Sequence, residues 1–234
     1  MKKIVTLFIL LTLISAGIYY QKYRTEEQKY ISSGSGFNPD TIPEYQNDIT
    51  IIINNDIPFF TDDELTGENY IRLSELDELG RSGSGILITD REHLIKDERS
   101  EIGYLKPSGW NQNKYPDIIK TEPAYLYHRS HILMYKMTGN DYNVIENLIT
   151  GTEQFNRGMF DNEKEALDYL YHNSGHIIYR VTPYYDNENL IATGVLIESA
   201  SVEDKGKGFH MCRWVYNIED GIYIDYKTGK NNKK

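Results

Sequence analysis

From residue 177 onward the chain alternates apolar, β-branched and aromatic runs with Asn, Asp and Gly breaks. Ile177 to Tyr185, Leu190 to Ser201, Phe209 to Ile218 and Tyr223 to Tyr226 each read as a strand. Strands so closely spaced must pair antiparallel, because a parallel crossover needs a dozen or more residues between them. Just upstream, Asp161 to Asn173 reads as a helix, with Asp161 as N-cap and Gly175 past its end. Glu163, Ala166, Leu167 and Leu170 share one face of it. Ile49 to Ile53, Gly85 to Thr89 and Ala124 to Leu133 add further strands, and Ser74 to Leu79 a turn or short helix ending at Gly80. The expected class is α+β: a central antiparallel sheet with flanking helices.

Composition agrees with a sheet-rich globular domain. The 234 residues suit one domain plus an appendage, 39% are hydrophobic, and the 20 tyrosines and 18 glycines lean toward sheet. The net charge of −10 argues against a long charge-driven grip on nucleic acid, but permits a local basic cleft. Cys212 is the one cysteine, so no disulfide partner exists within the chain, and its apolar surroundings mark a buried thiol.

The N-terminus carries an address. Met1-Lys2-Lys3 precedes 17 uncharged residues, Ile4 to Tyr20, which form an export signal, either cleaved or kept as an anchor. Ile14 fits poorly the small-residue pattern expected before a cut after Ala16, which favours a kept anchor with the remainder outside. Residues 21–46, with Ser32-Ser-Gly-Ser-Gly36, Pro39 and Pro43, read as a linker; 47–230 is the expected folded domain. The Asn231-Asn-Lys-Lys234 tail reads as frayed.

The chemistry concentrates in Tyr127-His128-Arg129-Ser130-His131. In extended backbone Arg129 and His131 share a face with Tyr125 and Tyr127, while His128 and Ser130 share the other. Asn147 and Asn156 follow, and then Glu163. Phosphodiester hydrolysis asks for a cation to hold phosphate, a base to activate water, and oxygen ligands for a hard metal ion. A carboxylate among apolar residues, as at Glu163, needs a partner; the helix N-terminus and a nearby metal both qualify. No Cys₂His₂, H-E-x-x-H, G-x-S-x-G or P-loop pattern occurs.

The segment from Tyr127 to Leu170 resembles the DNA/RNA non-specific endonucleases, the ββα-metal nucleases with a D-R-G-H motif, and most of all the secreted or membrane-bound streptococcal type. The motif stands here as His128-Arg129-Ser130-His131; Asn147 and Asn156 keep the family's interval of nine, and Glu163 occupies the place of its acidic residue. The likeness extends over roughly Leu76 to Gly229, including Tyr179-Arg-Val-Thr-Pro183 and Ile224-Asp-Tyr-Lys-Thr-Gly229. It implies a ββα-metal fold and a His131 general base. It also implies Mg²⁺ on Asn156 (Mn²⁺ substituting), Glu163 ordering metal-bound water, and Asn147 orienting the base or its loop. Arg129, Arg81 and Arg157 are candidates for holding the phosphates of DNA and RNA, and Lys136 a weaker one. His128 replaces the motif's aspartate, Ser130 its glycine, and Leu167 an arginine that some relatives carry one turn past the acid. These departures motivate an alternative, an exported nucleic-acid-binding protein without catalysis. A tyrosine-rich adhesion domain has only composition behind it.

Overall fold

The computed structural model describes residues 36–234; the expected export segment and most of the expected linker lie outside the described residues. Among the described residues no helix is long and apolar enough to cross a membrane. The strands are β1 (Thr50–Ile52), β2 (Tyr70–Leu73), β3 (Gly85–Asp90), β4 (Tyr127–His131), β5 (Leu148–Thr152), β6 (His176–Tyr184), β7 (Gly194–Ser201), β8 (His210–Tyr216), β9 (Ile222–Ile224) and β10 (Asn231–Lys233). The α-helices are α1 (Tyr135–Thr138) and α2 (Glu153–His172).

Six strands form one antiparallel sheet in the order β1-β8-β7-β6-β3-β2. Side chains alternate across it. Tyr179 and Val181 of β6, Val195 and Ile197 of β7, and Met211 and Val215 of β8 face Phe155, Met159, Ala166 and Leu170 of α2. Leu196, Cys212, Trp214 and Tyr216 point the other way, under Phe37, Ile42, Tyr45 and Phe59. On that second face Arg180 is buried, bonded to Glu198 at 2.7 Å and Glu64 at 2.8 Å. Removing either acid would strand a buried charge, so the triad fixes how the segment around Glu64 covers the sheet. The sheet is thus covered on both sides, and α2 presents its outer face to the β4–β5 hairpin.

The structure corrects two expectations, the start of the helix and the frayed tail. The helix begins at Glu153, not at Asp161, with Thr152 as N-cap accepting from the Phe155 amide at 3.0 Å. Asn156 therefore lies on the helix rather than before it. Asp161 is an exposed mid-helix residue. Of the turn or short helix expected over Ser74 to Leu79, the structure has the turn, closed by Asp77 to Gly80 with Gly80 at φ +72°. The tail is not frayed: Asn231–Lys233 pairs with β9, and Asn231 bonds Asn111, Asn113 and Tyr115.

Candidate active site

Strand β4 and helix α2 build the site between them. The β4–β5 hairpin pairs His131 with Leu148 and His128 with Gly151, and β5 runs through Thr152 directly into α2. The helix then carries Asn156 and Glu163 two turns apart on one face. His128, Arg129, His131, Lys136, Asn156 and Glu163 line one cleft of about 700 Å³, together with Arg99, which arrives from the segment before β4.

His131 is 8% exposed, and both its ring nitrogens are engaged. Nδ1 lies 3.3 Å from an Arg99 guanidinium nitrogen, and Nε2 lies 3.1 Å from Asn143 Oδ1. A guanidinium only donates, so Nδ1 accepts; the ring proton then sits on Nε2 and donates to Asn143. Burial foremost, then the Arg99 charge, brings the His131 pKa down to about 4, with the Asn143 bond opposing. The ring is neutral at physiological pH, with its lone pair on Nδ1. Asn143 is itself held, its Nδ2 donating to Ser100 Oγ and Asn140 Oδ1.

Arg99 and Asn143 did not emerge from the sequence. Asn140 donates to the Glu98 carbonyl and accepts from the Ser100 amide, which pins the two residues flanking Arg99. Leu167 also lines the cleft, and Arg99 brings a cation to it from another element.

Glu163 is half-buried, and its pKa is raised to about 7 by desolvation, partly offset by Arg99. Asn156 Oδ1 accepts a hydrogen bond from Ser130 Oγ at 2.9 Å and keeps a second lone pair. Asn147 is fully buried: its Oδ1 accepts from the Leu133 amide, and its Nδ2 donates to the Leu133 and Tyr142 carbonyls. It thereby fixes the chain leaving His131.

The arginines divide. Arg129 touches the cleft, but its guanidinium donates to the Leu105 and Gly103 carbonyls, both at 2.5 Å, and lies 4.3 Å from the Trp110 ring centroid. Arg81 does not line the cleft; it bonds Asp77 and the Asn187 and Asn189 carbonyls. Arg157 does not line it either; it is exposed and paired with Glu153 at 3.0 Å.

A cation fits this donor set. Asn156 offers a hard oxygen, Glu163 is a carboxylate whose charge is poorly compensated, and the buried Nε2 of His128 has no hydrogen-bond partner. Among the described residues no three His, Cys, Asp or Glu side chains are arranged to hold a metal, so water and substrate would supply most of its coordination.

No curated protein matches the chain. Solved structures do. NucA from Streptococcus agalactiae with magnesium bound superposes with a TM-score of 0.66 at 21% identity, over 77% of this chain and 85% of that one. The same protein with no metal bound gives 0.69 at 20% identity, over 84% and 92%. The Sda1 nuclease with bound zinc gives 0.57 at 24%, over 70% and 82%. These likenesses establish the ββα-metal nuclease fold. A family profile described as DNA/RNA non-specific endonuclease matches residues 61–203, more than half of the chain. With that match laid over the cleft between β4 and α2, the chain belongs to the DNA/RNA non-specific endonuclease family.

Proposed function

We propose that the protein is a divalent-metal-dependent endonuclease that cuts phosphodiester bonds in both DNA and RNA without sequence preference. In this reading His131 is the general base and Asn156 Oδ1 holds the cation. The observation that carries it is a neutral His131, its Nδ1 accepting from Arg99, lining the same cleft as Asn156 and Glu163.

His131 Nδ1 takes a proton from water, and its Nε2–H keeps the ring aligned through Asn143. Arg99 covers Nδ1 without substrate; an incoming phosphate draws the guanidinium onto itself and uncovers the base. Asn147 fixes the backbone behind His131, and Ser130 fixes the Asn156 carboxamide. Glu163, ionised once a cation is bound, would orient water held beside it. A divalent ion held here, Mg²⁺ or Mn²⁺, supplies charge neutralisation at the phosphate and at the departing oxygen. Contacts of this kind read the backbone and leave base edges unread, as expected of a non-specific enzyme. In the same reading the N-terminal run exports the enzyme, which is secreted or anchored.

The test is cutting of supercoiled plasmid and of RNA, with Mg²⁺, with Mn²⁺ and with excess EDTA. Cutting of both substrates that EDTA stops is expected, and His131→Ala should lose about 10²- to 10⁴-fold in turnover with the fold intact. Undiminished cutting in EDTA overturns the metal mechanism. No cutting with either metal favours the binding protein without catalysis, which His128 and Ser130 in the motif first suggested.

A further inference from the structure

His128 stands where the family motif has aspartate, and its surroundings are unusual for a packed histidine. Alternation along β4 puts it on the same face as Ser130, whose hydroxyl touches Asn156 Oδ1 at 2.9 Å. His128 therefore faces the first turn of α2. Across the hairpin its partner is Gly151. A Cβ at 151 would come within 2.3 Å of Ser130 Oγ and 2.4 Å of a Phe155 ring carbon, so the space beside Asn156 depends on that glycine.

Nε2 of the His128 ring is buried without a hydrogen-bond partner. Burial lowers the pKa of the ring, with Glu153 opposing, and so favours the neutral form, which can offer a nitrogen lone pair to a cation. An unpartnered buried polar atom carries a desolvation cost that an apolar residue here would avoid. A buried imidazole nitrogen with no protein partner, on a residue that lines the cleft with Asn156, has the chemistry of a metal ligand.

We propose that His128 Nε2 is a second direct metal ligand beside Asn156 Oδ1, giving this site one nitrogen and one oxygen from the protein. The proposal rests on the reading of Asn156 above. Imidazole nitrogen favours the later first-row divalent ions, whereas Mg²⁺ prefers oxygen throughout. Replacing the motif's carboxylate by imidazole thus tilts selectivity from Mg²⁺ toward ions of the Co²⁺ and Zn²⁺ class.

Calorimetric titration of the folded protein with Mg²⁺ and with Co²⁺ tests this, alongside pulsed EPR of the Mn²⁺-loaded form, in which a bound imidazole shows as ¹⁴N coupling. His128→Ala and His128→Asp should weaken Co²⁺ binding by about tenfold or more, with a far smaller change for Mg²⁺. In His128→Asp the strong ¹⁴N coupling should vanish while Mn²⁺ stays bound. If the Co²⁺/Mg²⁺ affinity ratio and the ¹⁴N coupling are unchanged in both variants, with circular dichroism confirming the fold, the proposal is overturned. Asn156→Ala separates the two readings. Loss of metal there, with neutral His128 variants, removes only His128 from the coordination sphere; unchanged affinity there overturns the shared assignment.

Discussion

At the scale of single residues, the proposed base is tuned by its neighbours. His131 is held near 4 by burial and by the Arg99 guanidinium, so kcat/KM should stay flat on the acid side well below pH 6. A nearby cation disfavours the imidazolium, so Arg99→Ala should raise the His131 pKa and move the acid limb toward the ordinary value of about 6.5. KM should rise as well, since the cation also meets phosphate. A pH–rate profile from pH 4 to 8 checks this; an unmoved acid limb would remove Arg99 from the base's environment. Glu163 titrates in the opposite sense. Its pKa is raised to about 7 in the fold, so its stabilising contribution is complete below about 4.5 and is lost as pH rises through 7. Glu163→Gln should thus leave metal-free stability unchanged at pH 4 and raise it by about 1–3 kcal/mol at pH 8, while lowering activity. Denaturant melts at the two pH values decide it, and added divalent cation should narrow the gap. Residue type and spacing brought His131, Asn156 and Glu163 into view from the sequence. Arg99 and Asn143 stayed hidden because Asn140, more than forty positions from Glu98, sets where Arg99 points. For Arg81 and Arg157 the charge was visible, but not the acids and carbonyls that occupy it.

At the scale of elements, α2 is the piece the sequence hid in part. Its last three turns carry a clear apolar stripe, but its first two contain Asn156-Arg157-Gly158, which look like loop. Gly158 is there for packing: a Cβ would sit 2.9 Å from Val215 Cγ1 and 3.2 Å from Ile49 Cγ1. The helix accepts poor local propensity so that its first turns can lie close on the sheet. Gly158→Ala should therefore destabilise by about 1–3 kcal/mol through overpacking, although alanine is the better helix former by about 1 kcal/mol. It should also displace Asn156, two residues earlier, and weaken metal binding. Greater stability in that variant, measured by urea denaturation, would show that the contact relaxes freely. Strands β6, β7 and β8 were visible because the sheet is covered on both faces and their sequences carry runs of apolar, β-branched and aromatic residues. Strands β2 and β5 were not: one has four residues, and the other contains Gly151, kept clear by Ser130 and Phe155.

At the scale of the whole molecule, an enzyme for polyanions carries a net charge of −10. The resolution is local. Three cations line the cleft, Arg99, Arg129 and Lys136, and the guanidinium of Arg129 is already committed to two backbone carbonyls and the Trp110 ring. Arg81 and Arg157 are committed outside the cleft. Substrate therefore meets about two available positive charges, set in an acidic surface that repels the rest of the strand. Each neutralised phosphate releases counterions, so the salt dependence counts these contacts. At saturating metal, the plot of log(1/KM) against log[NaCl] for duplex DNA should have a slope of about −2, with kcat nearly unchanged. Lys136→Ala should reduce the slope by about one for every sequence tested. For single-stranded substrate the same two contacts give a shallower slope, about −1.4. A slope steeper than about −4 would mean that the substrate follows a basic track well beyond the cleft. The shallow slope expected here instead has a consequence for the working enzyme: binding survives salt, and discrimination against other polyanions falls to the proposed site around His131 and Asn156.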